Sequence, residues 1–248
     1  MKAYMDIPYS AHGYDECKLD LMLPESDSFP IFVYFHGGGL EHGDKKCKVF
    51  GEYLTNMGIA VASANYRMYP SAKYPDFLED SAEAVAWVLR NIGKYGNCEG
   101  VYVGGGSAGG FISMMLCFDK RWYDGVGVSP EEIRGYVHDA GQPTAHFNVL
   151  RERGIDTRRV IVDDSAPLFH IGEQKSYPDM LFIVSDNDMK NRYEQTILTL
   201  STLKHFGHEE KTTLKVMNGK HCAYVGRIDE DGKSAFGKMV EEFIVNHR

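Results

Sequence analysis

A serine in a glycine-rich turn has the setting that points most directly to chemistry. The segment Gly104–Gly110 reads GGGSAGG; it follows the apolar run Gly100–Val103 and precedes the apolar stretch FISMML. Its central five residues form a GxSxG motif. The pattern predicts a strand, a sharp turn and a helix, which would project the Ser107 hydroxyl from the edge of a sheet. Ser107 is therefore the candidate nucleophile of an acyl-transfer reaction.

The same glycines allow a second interpretation. Gly104, Gly106 and Gly109 also spell GxGxxG, the fingerprint of a dinucleotide-binding turn. That fingerprint expects an acidic residue at the end of the next strand about twenty residues later, whereas Asp124 lies in the polar stretch DKRWYDG. We therefore favour the nucleophile and keep a nucleotide-binding oxidoreductase as an alternative.

A second glycine-rich turn could stabilise negative charge. The apolar run Ile31–Phe35 ends in His36-Gly37-Gly38-Gly39, and backbone N–H groups in such a turn can approach a substrate closely. Fixed donors to an oxyanion each lower a barrier by about 3 kcal/mol. We predict Gly37, Gly38 and the N–H of Ala108 as the oxyanion hole, with His36 positioning the loop.

A nucleophilic serine needs a histidine base and a carboxylate that orients it. In a fold with this nucleophile turn, the acid and then the base follow the serine along the chain. The run Leu181–Val184 leads into SDND, where Asp188 is the preferred acid and Asp186 the alternative. The last apolar run leads into NGKH, so His221 is the predicted base.

Strands and helices alternate in the pattern around these residues. Apolar runs predict strands, and apolar residues at three- and four-residue spacing predict helices. The predicted strands are 19–23, 31–35, 59–64, 101–103, 133–137, 181–184 and 214–217; the predicted helices are 49–57, 77–91, 107–118, 192–206 and 234–246. The fold class is therefore α/β, with a mostly parallel central sheet flanked by helices on both faces.

The organisation is expected to be a single domain over residues 1–248, because no repeat or linker divides the chain. The segment 139–163 is long enough for a small lid beside the active site. It contains Gln142, His146 and Phe147, which we predict to contact substrate.

Composition argues against several classes of protein. The net charge of -8 and pI near 5.7 disfavour nucleic-acid binding. No apolar run is long enough for a membrane span or signal segment, so we expect no membrane association and a cytoplasmic location. Five scattered cysteines are expected to be free thiols. No metal-binding motif is present, so neither metal nor cofactor is expected.

The chain resembles α/β-hydrolase-fold esterases related to hormone-sensitive lipase and to small acetyl-xylan and feruloyl esterases. The matching segments, in chain order, are LDLMLP, HGGG, NYRMYP, GGSAGG, SDND and NGKH. The resemblance implies an α/β-hydrolase fold with a minimal cap and a triad of Ser107, Asp188 and His221. It also implies hydrolysis of short-chain acyl esters, with acetyl groups on carbohydrate as the favoured substrate.

Other functions stay open at this stage. A feruloyl esterase, an arylformamidase or another amidase would use the same triad. A non-catalytic ligand-binding protein on a hydrolase scaffold is an alternative of another class. The expected partner is a small-molecule or oligosaccharide ester, and the sequence leaves open whether the chain forms a homo-oligomer.

Overall fold

Eight strands form one sheet in the computed structural model, which describes residues 1–248. Their order across the sheet is β1-β2-β4-β3-β5-β6-β7-β8. β2 pairs antiparallel with both β1 and β4, and all other pairs are parallel. The strands are β1 Lys2–Pro8, β2 Lys18–Leu23, β3 Ser28–Phe35, β4 Ala60–Ala64, β5 Asn97–Gly106, β6 Ile133–Asp139, β7 Asp179–Asn187 and β8 Thr212–Lys220.

Helices cover both faces of this sheet, as predicted. They are α1 Lys48–Asn56, α2 Asp76–Asn91, α3 Ala108–Phe118, α4 Arg121–Val126, α5 Phe147–Glu152, α6 Arg192–His205 and α7 Ala235–Asn246. Alternate side chains of β3 show the two layers. Ile31 and Val33 belong to the apolar cluster that contains residues of α2 and α3. Phe32 and Tyr34 belong to the cluster that contains residues of α1 and α7. This two-residue alternation is the geometry of a strand buried on both sides.

All seven predicted strands and all five predicted helices are present, with helix ends shifted by no more than one residue. Three elements were not predicted: β1, α4 and α5. The segment 139–163 contains α5 and a series of turns. No helix combines the length and the apolar character that a membrane crossing requires.

The parallel strands end at the same edge of the sheet, and the candidate site residues follow them there. The turn after β3 contains Gly37 and Gly38, β5 leads into Ser107, β7 leads into Asp188, and β8 leads into His221. Because β3, β5, β6, β7 and β8 are consecutive neighbours, segments distant in sequence meet at one edge. Ligands of open parallel sheets bind at this edge.

Candidate active site

The turn at Ser107 holds a strained backbone. Ser107 has φ +56° and ψ −110°, a conformation that a non-glycine residue rarely adopts. Its N–H donates to the carbonyl oxygen of Asp139 over 2.8 Å. A Cβ on Gly109 would lie 1.9 Å from the carbonyl oxygen of Phe35, so α3 can pack this closely against β3 only with glycine there. Packing therefore maintains the turn that exposes the Ser107 hydroxyl.

A continuous hydrogen-bond chain connects three of the predicted site residues. His221 Nε2 lies 2.8 Å from Ser107 Oγ, and His221 Nδ1 lies 2.5 Å from Asp188 Oδ1. The Asp188 side chain is fully buried and the imidazole is 22% exposed. In this arrangement the carboxylate accepts a hydrogen bond from Nδ1–H, and Nε2 is left free to accept the serine proton.

The environment of Asp188 favours its ionised form. Burial raises the pKa of Asp188, but the hydrogen bond and positive charge of His221 oppose burial and, with two backbone N–H groups, give a net lowering. Those N–H groups belong to Met189 and Ser185, at 2.7 and 3.2 Å. An ionised carboxylate at this place can stabilise the imidazolium that would form if His221 accepted the Ser107 proton.

The alternative acid, Asp186, has a different role in the structure. Its Oδ1 accepts a hydrogen bond from the N–H of Gly219 at 2.9 Å, and its Oδ2 accepts one from Asn218 Nδ2 at 3.1 Å. These bonds connect the end of β7 with the segment that carries His221. Asp186 therefore positions the histidine loop, and Asp188 contacts the imidazole.

The turn after β3 places free backbone donors beside Ser107. Gly37 lies so near the nucleophile that a Cβ on it would be 3.2 Å from the Ser107 Cβ. The N–H groups of Gly37 and Gly38 make no hydrogen bond within the chain, and both glycines line the cavity that contains Ser107. Ala108 begins α3, where N–H groups have no intrahelical acceptor. These three N–H groups can donate hydrogen bonds to an oxyanion.

His36 holds the turn in place. Its Nδ1–H donates to the carbonyl oxygen of Gly37 at 2.7 Å, and its ring stacks on Tyr66 with centroids 4.5 Å apart. Burial lowers the pKa of His36, so the ring is neutral at neutral pH. Gly38 has φ +110°, and a Cβ there would lie 1.7 Å from the carbonyl oxygen of His42. Only glycine suits that position.

The cavity over Ser107 has a volume of about 450 Å³. Besides the residues described above, its lining includes Tyr34, Glu41, Phe147, Met189, Cys222 and Val225. Met189 directly follows Asp188, and Cys222 directly follows His221, so chain adjacency to the triad was a signal for both. No set of three His, Cys, Asp or Glu side chains is arranged to hold a metal ion.

The three residues predicted to contact substrate have different locations. Phe147 lines the cavity that contains Ser107. Gln142 lines a neighbouring cavity, and its Nε2 donates to the carbonyl oxygen of Ala145 at 2.9 Å. His146 is buried, packs on Phe111 and accepts the Asn148 N–H at the start of α5. The ring of His146 therefore serves to begin that helix, and its contact with substrate stays a prediction.

A buried carboxyl group lies behind the nucleophile and was not singled out from sequence. Asp139 ends β6 with no exposed surface; the Tyr224 hydroxyl donates to its Oδ1, and its Oδ2 has no hydrogen-bond partner. Burial raises the pKa of Asp139 to about 7, and the charge of Asp188 adds to the effect. The folded protein therefore holds a proton here that an unfolded chain releases near pH 4.

Asp139→Asn is expected to stabilise the protein more strongly as pH rises. A raised folded-state pKa gives stability that is fully present below about pH 4 and is lost as pH rises through about 7. Asparagine removes this loss, so urea unfolding at pH 5 and pH 8 should show the advantage of the variant growing by about 3 kcal/mol. The exposed Asp231→Asn is the control. Equal stability differences at the two pH values would contradict a neutral Asp139.

Parts of the chain are similar in sequence to known proteins. The BD-FAE family model matches residues 19–124. Carboxylesterase NlhH of Mycobacterium tuberculosis is 36% identical over 139 residues, which cover 50% of this chain and 43% of that protein. The gibberellin receptor GID1B of Arabidopsis thaliana is 30% identical over 99 residues, covering 37% and 27%. The matches thus span less than half the length of either relative.

A solved structure extends the similarity to the whole fold. A truncated form of a carbohydrate esterase from gut microbiota superimposes with a TM-score of 0.79 at 18% identity, covering 100% of this chain and 96% of that one. The chain therefore has the α/β-hydrolase fold. The predicted resemblance to esterases of that fold is confirmed.

Proposed function

We propose that this α/β-hydrolase-fold chain is a serine carboxylesterase that cleaves short-chain acyl esters through an acyl-enzyme intermediate. The observation that carries the proposal is the hydrogen-bond chain from Asp188 through His221 to Ser107, at 2.5 and 2.8 Å. A receptor on this scaffold has no need of such an arrangement, although one curated relative is a receptor.

Each step follows from the positions of these groups. Ser107 Oγ attacks the ester carbonyl while His221 Nε2 takes the hydroxyl proton, and the Asp188 carboxylate stabilises the imidazolium. The N–H groups of Gly37, Gly38 and Ala108 donate hydrogen bonds to the carbonyl oxygen and stabilise the negative charge that develops on it. His221 then protonates the leaving alcohol. A water molecule, activated by the same histidine, releases the acid and restores Ser107.

We further propose that the acyl group is acetyl and that the alcohol belongs to a carbohydrate. The size of the cavity over Ser107, about 450 Å³, suits a small acyl group together with part of a larger alcohol. The similarity to a carbohydrate esterase over the whole chain favours a sugar as that alcohol.

A substrate panel tests both proposals. p-Nitrophenyl acetate should be hydrolysed with a kcat/KM at least about 10-fold above that of the octanoate ester, and acetylated xylo-oligosaccharide should release acetate. Methyl ferulate and formanilide serve as feruloyl-ester and amide comparisons. No turnover of any ester would overturn the esterase. Turnover of aryl acetates with none of the carbohydrate ester would overturn only the sugar assignment.

A further inference from the structure

A second cavity of about 410 Å³ adjoins the one that contains Ser107. We call it the basic cavity; its defining residues are Phe147, Arg158, Arg159, Met189, Lys190 and Arg192. Phe147 and Met189 also line the cavity over Ser107, so the two cavities meet at these two residues. A substrate held at Ser107 would therefore have to reach past Phe147 and Met189 to enter the basic cavity.

The charge of the basic cavity contrasts with that of the whole chain. Four of its eleven lining residues are Arg or Lys and none is Asp or Glu, in a protein of net charge -8. Arg158 pairs with Asp156 at 2.6 Å. Arg159, Lys190 and Arg192 have no carboxylate within salt-bridge distance. Three of the four cations that line this cavity therefore form no ion pair, and of these Arg192 is the one on which the charge of Asp188 acts.

Arg192 is the most informative of these cations because it is buried. The residue is 5% exposed, and its Nη1 donates to the carbonyl oxygen of Ala140 at 2.6 Å. Burying a charge without a counter-ion costs several kcal/mol. Burial lowers the pKa of Arg192 to about 10, against the opposing charge of Asp188. The net lowering of the pKa shows that Asp188 offsets only part of the cost of burying this guanidinium, and an anion in the adjoining cavity would offset more of it.

The start of α6 adds to the positive potential. Arg192 is the first residue of this fourteen-residue helix, and Asn191 before it makes no side-chain capping bond. Asn191 and Gln195 line the cavity together with Arg192. The Arg192 N–H donates to the Met189 carbonyl oxygen, so the free N–H groups of the first turn are those of Tyr193 and Glu194. These groups and the helix dipole favour an anion at this point.

We infer that the basic cavity binds a carboxylate carried by the ester substrate, so that the protein prefers acidic esters to neutral ones. The planar guanidinium of Arg192 matches a carboxylate in shape, and Arg159 and Lys190 attract it from the exposed rim. The inference rests on the proposed esterase function and specifies its substrate class: an ester in which a carboxylate lies several bonds from the cleaved bond.

The experiment uses two pairs of esters that differ in one charge. On the acyl side, the p-nitrophenyl monoester of glutaric acid is compared with p-nitrophenyl pentanoate; on the alcohol side, 3-acetoxybenzoate is compared with 3-acetoxybenzamide. The variants are Arg159→Gln with Lys190→Gln, both exposed residues whose replacement should not affect folding. Lys120→Gln, at the exposed residue before α4, removes one charge that lines neither cavity and serves as the matched control.

For at least one pair, the unsubstituted protein should favour the acidic ester in KM, and the double variant should lose about 10-fold of that preference. The double variant should change kcat/KM more for the acidic ester of a pair than for the neutral one, and Lys120→Gln should leave the preference intact. Added salt should weaken the preference. An unchanged ratio of acidic to neutral kcat/KM in the double variant, for both pairs, would overturn the inference.

Binding to the Ser107→Ala variant separates this inference from the proposed function. Calorimetric titration with each of the four esters measures affinity without turnover. Tighter binding of the carboxylate, lost when Arg159→Gln and Lys190→Gln are added, would support the basic cavity even if no ester were hydrolysed, an outcome that would overturn the esterase alone. Equal affinity for all four ligands, including the two acyl-side esters, would overturn the basic cavity while leaving the esterase to its own assay.

Discussion

Ser107→Ala is expected to reduce kcat/KM for p-nitrophenyl acetate by about four to six orders of magnitude. The reason is that His221 Nε2, at 2.8 Å from the hydroxyl, would have no nucleophile to activate, and only the oxyanion donors would remain. The alanine keeps the same backbone strain at φ +56°, so the fold should be retained. Initial rates at saturating and limiting ester concentrations measure the loss.

The matched control is Ser71→Ala, an exposed serine that donates to the carbonyl oxygen of Met68. It should retain full activity. A fluorinated phosphonate should add one adduct to the parent protein, on the peptide containing Ser107, and none to Ser107→Ala. A Ser107→Ala variant that keeps more than a tenth of the parent rate, with unchanged circular dichroism, would remove Ser107 from the mechanism.

The elements of the fold that could be predicted from sequence are those whose side chains are buried. Strands β3 and β5 through β7 lie inside the sheet, so both faces are apolar and the runs stand out from the sequence. β1 was missed because it is an edge strand whose residues are mostly exposed. α4 and α5 have six residues each, which is too short for a helical period to be visible.

Site residues could be predicted where the backbone itself carries the signal. GxSxG and HGGG mark turns that only glycine permits, and the order of acid and base follows from the topology. No motif in the segment 139–163 indicates which side chains face the cavity over Ser107. The sequence therefore could not show that Phe147 lines this cavity and that Gln142 and His146 do not. The burial of Asp139 and Arg192 without an ion pair also depends on neighbours distant in sequence, which residue spacing does not reveal.

Asp186 and Asp188 show how two carboxylates in one tetrapeptide acquire different roles. β7 continues to Asn187, and the side chain of Asp188 turns inward to His221 with no exposed surface. Asp186 instead accepts hydrogen bonds from Asn218 and from the Gly219 N–H. Removing the charge of Asp188 should therefore test the orientation of the imidazole, and removing the charge of Asp186 should test the support of the histidine loop.

Asp188→Asn is expected to lower kcat by about four orders of magnitude, whereas Asp186→Asn should lower it by less than about 10-fold. In Asp188→Asn an amide can stabilise the wrong imidazole tautomer, and it supplies no charge to the imidazolium. In Asp186→Asn the side-chain oxygen can still accept from Gly219, so the loop keeps its support. Parallel kcat and KM measurements on both variants decide the assignment; equal losses, or a larger loss in Asp186→Asn, would mean that Asp188 is not the residue that orients His221.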